Sequence, residues 1–381
     1  MTTLTNARLV TPDGVRNGWL RVAGDRITGM GTGETPGGEA STDVGGRWVL
    51  PGGVDVHVHG GAGAAFSDAD PQAAMRIVEH NRSHGVTTLL GGLVAASPAD
   101  TLRQVAALAE LCDTGDLAGI YLEGPYIAAS KCGAHDPELL RDPDVDEFSQ
   151  ILKAGRGHVR MITVAPELPG ALELVRAATA EGVVAAVGHT EADYEQTRAA
   201  FDAGATMATH LYNAMRPLHH REPGPIAAAL NDPRVTVELI NDGVHVHPGA
   251  ARLVFDTAGS ERVALVTDAM AATGLGDGEY TLGKLRVLVR DGQATVAETG
   301  AIASSTIVLP DAIRRAVHTL PGEDGVGLAA AARSATATPA RALGLERVGE
   351  LATGNRADLL LLDPELNVAG VMYGGAWTRP L

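Results

Sequence analysis

The chain has 381 residues, more than one ordinary hydrophobic core sustains, so a large domain with a smaller companion is expected. Its 45% hydrophobic and 20% charged residues are those of a globular protein, and no apolar run reaches the ~18 residues that span a bilayer. A formal charge of -16 argues against nucleic acid and anionic membrane as partners, so any anionic ligand needs locally placed Arg or His.

The opening "MTTLTNARLV" has no basic stretch followed by an apolar one, which predicts a cytoplasmic rather than a secreted protein. The two cysteines, Cys112 and Cys132, are then expected as reduced, free thiols. Residues 1–51 carry short alternating segments ("WLRVAGDRITGM", "GRWVLPG") broken by Gly and Pro, and the tail "NRADLLLLDPELNVAGVMYGGAW" reads as two more strands around Asp363-Pro364. Both ends, 1–51 and 346–381, are expected to form a small β-sandwich domain beside a catalytic domain at 52–345.

From residue 52 onward, apolar runs alternate with helical patterns. Eight runs read as strands: 54–59, 86–90, 118–123, 159–165, 183–188, 205–210, 235–240 and 263–268. Between the first of them lie "DPQAAMRIVEHNRSHG", which ends in Gly85, and "SPADTLRQVAALAELCD", which opens on Ser97 as N-cap with Pro98 at the first helical position. The order predicts an α/β fold, a (β/α)8 TIM-type barrel. After the eighth strand, residues 279–300 contain Asp291-Gly292 between β-rich runs and predict a β-hairpin insert.

The tripeptide HVH occurs twice, at His57 and His59 and again at His245 and His247. With 13 histidines in the chain, neither copy means anything until its place in the fold is considered. Barrel chemistry sits at the C-terminal ends of the strands. There the first strand carries His57 and His59, the third Glu123, the fifth His189, the sixth His210 and the eighth Asp268. Side chains two apart on a strand share a face, so His57 and His59 both aim into the barrel mouth.

Any one of these is as readily a hydrogen-bonded core group. Together they are the imidazole and carboxylate ligands that suit one or two divalent ions with an open position. The only lysines, Lys131, Lys153 and Lys284, end no strand, so Glu123 would have to bridge two ions. Asp268 is the natural general base: a carboxylate beside an activated water takes its proton and returns it to a leaving amine. The reaction class is hydrolysis of an amide or related C–N bond.

"PGGVDVHVHG" together with "GNRADLLLLD" resembles the amidohydrolase superfamily. "YLEGPY", "KCGAHDPE", "VGHTEA", "THLYNAMRPLHHREPG", "NDGVHVHP", "LVTDAMAATG" and "ASSTIVLPDAI" resemble, in order along nearly the whole chain, its N-acetylglucosamine-6-phosphate deacetylase family. The resemblance implies a metal held by Glu123, His189 and His210. A second would be held by His57, His59 and Asp268, with Glu123 between them. Zinc is the expected ion, ahead of iron, manganese, cobalt and cadmium.

It further implies that His135, with Ala134 beside it, polarises the acetyl carbonyl. Asn213 and Ala214 would contact the sugar phosphate, Arg221 and His245 would read its phosphate, and Ile302, Ala303 and Ser304 would line the sugar pocket. The arginine commonly comes from a neighbouring subunit, so a homodimer is expected; His247 has no role. The Gly-, Ser- and Ala-rich segment 126–136 could close as a lid bearing Cys132. Two other readings are a dihydroorotase, hydantoinase or nucleobase aminohydrolase, and a non-catalytic metal-binding relative. The missing strand-end lysine and the "LYNAM" to Arg221 segment oppose the first; the retained Asp268 and metal histidines oppose the second.

Overall fold

The computed structural model describes residues 1–33, 40–320 and 325–381. Eight strands run in chain order around a barrel: β1 (Gly53–Asp55), β2 (Val86–Val94), β3 (Gly119–Glu123), β4 (Val159–Val164), β5 (Val184–Val187), β6 (Met207–Ala208), β7 (Thr236–Ile240) and β8 (Val263–Val266). Every ladder between neighbours is parallel. The first and last strands join only beyond their regular ends, where Asp268 N donates to His57 O (2.8 Å) and His59 N to Ala269 O (2.9 Å). The seam that closes the barrel therefore passes through three of the candidate ligands.

Several strands are shorter than their apolar runs suggest: β1 stops at Asp55, β6 is two residues, and β8 stops at Val266. For β6 and β8 the cause is the ligand that follows the strand. His189, His210 and Asp268 have φ of 47°, 27° and 49°, left-handed conformations costly for a side chain with a β-carbon. Each turns the chain out of its strand just where its side chain must swing over the mouth.

The eight strands are followed in turn by α1 (Pro71–Ser83), α2 (Pro98–Asp113), α3 (Val145–Ala154), α4 (Ala171–Ala180), α5 (Tyr194–Ala203), α6 (Gly224–Asn231), α7 (Pro248–Ala258) and α8 (Leu309–Thr319). The start signals act as read: Asp70 accepts from Gln72 N (2.9 Å) to cap α1, and Ser97 from Asp100 N (3.2 Å) to cap α2. Inside the barrel, Val54, Leu90, Tyr121, Met161, Met207 and Val266 pack into one cluster with Ala340 and Leu343, whose segment closes the floor. Ligand access is left to the C-terminal mouth. No helix among the described residues is long and apolar enough to cross a membrane.

Strands from both ends of the chain share one eight-stranded sheet, in the order Ala376–Arg379, Val368–Tyr373, Leu359–Leu362, Trp48–Pro51, Thr2–Thr11, Gly14–Ala23, Arg26–Gly31, with Ser41–Asp43 also on Thr2–Thr11. It folds back over Leu4, Leu20, Val49, Leu359 and Leu361, bonding Ile27 N to Asn355 O (3.0 Å) and Ala357 N to Asp25 O (2.8 Å). The insert after β8 differs from the expected hairpin: it has three antiparallel strands, Gly278–Leu282, Leu285–Arg290 and Gln293–Val296. The extra turn comes from Gly283 (φ 55°); the second uses Asp291 (φ 50°) and Gly292 (φ 75°), the positive pair a tight hairpin turn favours.

Candidate metal centre and cleft

Glu123, the last residue of β3, is buried and shared by two groups of ligand atoms. One comprises His57, His59, Glu123 and Asp268, the other Glu123, His135 and His189, each with its donor atoms within 4.8 Å of one another. In the first, Glu123 Oε2 lies 2.9 Å from His59 Nε2, and Asp268 Oδ1 lies 3.4 and 3.3 Å from the Nε2 atoms of His57 and His59. On the side of the second, Glu123 Oε1 lies 3.1 Å from His189 Nε2, and His210, outside both groups, adds its Nε2 at 2.9 Å from the same oxygen.

The approach of β1 to β2 depends on Gly92. A β-carbon there would meet Val58 O at 2.6 Å and His59 Nδ1 at 3.1 Å, and Gly92 N donates to Val58 O (2.8 Å). Tyr121, with its hydroxyl on Thr163 (2.7 Å), packs edge-on against His57 from within the barrel at 4.7 Å between ring centroids.

Partners on the far side of each ring decide what its Nε2 offers. His57 Nδ1 donates to Glu238 Oε2 (3.0 Å) and His189 Nδ1 to the carbonyl of Lys131 (2.7 Å), so in the neutral rings both Nε2 atoms carry lone pairs into the centre. His135 is the opposite case. Its Nδ1 accepts from Ala95 N (3.2 Å), which leaves Nε2–H as a donor, 3.3 Å from Glu123 Oε2. His135 is thus built to donate a hydrogen bond, and burial lowers its pKa, favouring the neutral ring.

The cluster demands positive charge. Burial opposes a proton on His57, yet Asp268, Glu123 and Glu238 together raise its pKa well above the usual imidazole value. Burial likewise opposes a proton on His59, but bonds to Asp268 and Glu123 raise it to about 9. The same pairing, against burial, holds Glu123 well below and Asp268 below the ordinary carboxylate values. Nε2 atoms stand 3.0 Å apart in both the His57–His59 and the His189–His210 pair, and the Nδ1 atoms of His59 and His210 have no hydrogen-bond partner among the described residues. Converging lone pairs beside buried carboxylates fit divalent cations.

Above the cluster opens a cleft of about 320 Å³ lined by Glu123, Ala134, His135, His189, His210, Asn213, Ala214, His245, Asp268, Ile302 and Ser304. His57 and His59 lie beneath it, 0% and 2% exposed. Ala303 turns away into the packing of the insert, while Ser304 Oγ donates to Asp268 Oδ1 (3.2 Å). Arg221 is not part of the cleft of its own chain: it is exposed, with Nη1 2.8 Å from His220 Nε2.

The second HVH separates cleanly. His245 reaches the cleft with Nδ1 donating to Asp242 Oδ2 (2.7 Å), a bond that outweighs burial and lowers the Asp242 pKa. His247 instead caps α7, accepting from Gly249 N (3.1 Å). In the segment 126–136, Lys131 is tied by its carbonyl to His189 and by Nζ to Glu191 (2.9 Å). Cys132 is half-buried, and the buried Cys112 thiol is pushed up to about 12 by desolvation.

Two carboxylates escape a reading of strand ends. Glu238 lies within β7, fully buried, and bonds both His57 Nδ1 and His210 N (3.0 Å). Asp55, in β1, accepts from Thr267 Oγ1 (2.7 Å) across the closing seam, and burial raises it to about 7. The available signal was a lone acid inside an apolar strand, "VTVELI" or "GGVDV".

Imidazoles and carboxylates converging at the mouth of a parallel barrel define a hydrolase of the class that works with divalent metal ions. A family model described as the amidohydrolase family matches residues 48–378. An N-acetylgalactosamine-6-phosphate deacetylase of Escherichia coli O157:H7 is 39% identical over 332 residues, 86% of each chain. An N-acetylglucosamine-6-phosphate deacetylase of Vibrio furnissii is 36% identical over 84% of this chain and 80% of its own. Similar in structure is the N-acetyl-D-glucosamine-6-phosphate deacetylase of Mycobacterium smegmatis, solved as an aspartate-to-alanine mutant in complex with N-acetyl-D-glucosamine-6-phosphate. It has a TM-score of 0.96 at 49% identity and covers 99% of both chains. The chain belongs to the amidohydrolase family, and within it to the N-acetylglucosamine-6-phosphate deacetylases.

Proposed function

We propose that the protein hydrolyses the acetamide of N-acetylglucosamine 6-phosphate to glucosamine 6-phosphate and acetate. The observation that carries this reading is the shared carboxylate: Glu123 joins two imidazole groups at the base of a cleft that Asp268 and the His135 donor both line. Glu123, His189 and His210 would hold one ion, and His57, His59 and Asp268 a second. Zinc is the ion we assign first. A bound divalent ion supplies Lewis acidity and lowers the pKa of water from about 15.7 to roughly 7.

The chain's own groups account for the proton traffic. Asp268, kept ionised by its imidazole neighbours, takes a proton from the attacking water as its oxygen bonds the acetyl carbon. His135 donates from Nε2 to the carbonyl oxygen as negative charge builds there. Asp268 then passes its proton to the amine nitrogen as the C–N bond breaks. Over β6 and β7, Asn213, Ala214 and His245 receive the sugar phosphate, with Asp242 holding the His245 ring in place through its Nδ1.

Arg221 is exposed and does not line the cleft of its own chain, so it would serve the phosphate from a second copy. We therefore propose a homodimer in which each subunit lends Arg221 to its partner. Ile302 and Ser304 would line the sugar pocket, with Ala303 holding their loop against the insert. The barrel at 52–345 would be the catalytic domain, and the β domain from 1–51 and 346–381 its support. A sugar phosphate does not cross a bilayer unaided, which favours a cytoplasmic enzyme.

Acetate release from N-acetylglucosamine 6-phosphate, with and without chelation, tests the reading; no release from metal-replete protein overturns it. The E. coli relative's name favours a second reading in which the C4 epimer, N-acetylgalactosamine 6-phosphate, is also used. Running both sugars side by side decides between them.

A further inference from the structure

Val94 is the last residue of β2 and the only one of that strand not buried. It stands between two cavities. On one side it lines the cleft above the metal cluster; on the other it lines a separate pocket of about 200 Å³, apolar near Val94 at Ala95, Ala96 and Leu139 and polar beyond, at Asp68, Asp100 and Lys284. The first turn of the insert presses on it, since a β-carbon on Gly283 would lie 3.3 Å from Val94 Cγ2. Leu282, from the same turn, lines the cleft beside it.

Val94 is also adjacent to the carbonyl-polarising group, because Ala95 N is the donor that fixes His135 Nδ1 (3.2 Å). In the barrel, β2 lies four strands from β6 and so opposite it. The sugar phosphate is assigned to the ends of β6 and β7. In a 2-acylamino sugar 6-phosphate, C2 and C6 project from opposite sides of the ring. With the phosphate over β6 and the acyl oxygen on His135, the N-acyl group lies on the β2 side of the cleft, where Val94 is part of the wall.

We propose that Val94 sets the length of the N-acyl chain the enzyme accepts. Its isopropyl group ends the acyl site after one methyl; a smaller residue there would let a propionyl or butyryl chain extend against Ala95, Ala96 and Leu139. This rests on the deacetylase reading above. In an apolar site one methylene changes kcat/KM by about 10- to 200-fold, enough for a single wall residue to decide chain length.

The test is kcat/KM for N-acetyl-, N-propionyl- and N-butyrylglucosamine 6-phosphate with the metal-loaded parent, Val94→Ala and Val94→Ile. Ratios between substrates cancel any loss of folded enzyme. The butyryl to acetyl ratio should rise about tenfold or more in Val94→Ala, and the propionyl to acetyl ratio should fall in Val94→Ile. Ratios unchanged in both variants, with the parent active on the acetyl substrate, overturn the inference and leave the deacetylase reading standing. A parent that releases no acetate overturns both.

Discussion

Glu238 Oε2 lies 3.0 Å from His57 Nδ1 and accepts the backbone N–H of His210 at the same distance. One buried carboxylate oxygen thus orients a ring of one ligand group and anchors the backbone of the other. Groups behind a ligating histidine typically change metal affinity or activity by about 10- to 100-fold. Glu238→Ala should therefore lower the metal bound per chain in a titration of chelated protein, chiefly at the His57–His59 group. Glu238→Gln keeps an acceptor for His57 and should retain most of it. Equal stoichiometry and affinity in parent and Glu238→Ala would reject this role.

Asp268→Asn keeps the size of the side chain but removes the proton acceptor. Turnover should fall roughly 10²- to 10⁴-fold, the usual worth of a positioned acid or base. Steady-state kinetics at matched metal loading checks this, and turnover close to that of the parent would reassign the base.

Arg221→Ala should weaken the phosphorylated substrate selectively. A charge-assisted hydrogen bond is worth about 1.5–3 kcal/mol, which translates to roughly a ten- to hundredfold loss in kcat/KM. Comparison with unphosphorylated N-acetylglucosamine isolates the phosphate: equal proportional losses on both sugars would mean that Arg221 does not read it.

The first strand shows what was legible in the sequence. His57 and His59 could be assigned because a parallel barrel delivers strand ends to one face, and the alternation of a strand puts both on one side. The same logic located Glu123, His189, His210 and Asp268. It overestimated the strands before His189, His210 and Asp268, because left-handed turns at these residues answer to the site rather than to local preference. Glu238 was missed because its partners are 181 and 28 residues away in the chain. Ala303 was read with its neighbours, although the loop turns it into the insert, and no periodicity in a three-residue stretch reveals that. His247 is a helix cap that any HVH motif conceals.

Metal-free protein should lose stability as pH rises. His59, at about 9 in the fold against 6.5 for the free side chain, holds a proton that the unfolded chain has released between those values. Its contribution is complete below pH 6.5 and is lost as pH climbs through about 9. His57 acts in the same direction. Melting temperatures of chelated protein should fall across this window, and saturating metal should flatten the trend by replacing the protons. A chelated protein whose melting temperature rises from pH 6.5 to 9 would contradict the charge balance described for the cluster.

Acetate release is the most direct measurement. Chelated protein incubated with N-acetylglucosamine 6-phosphate should release almost none, and addition of zinc should restore stoichiometric acetate and glucosamine 6-phosphate. Metal-replete, folded protein that leaves the acetamide intact would contradict the central claim.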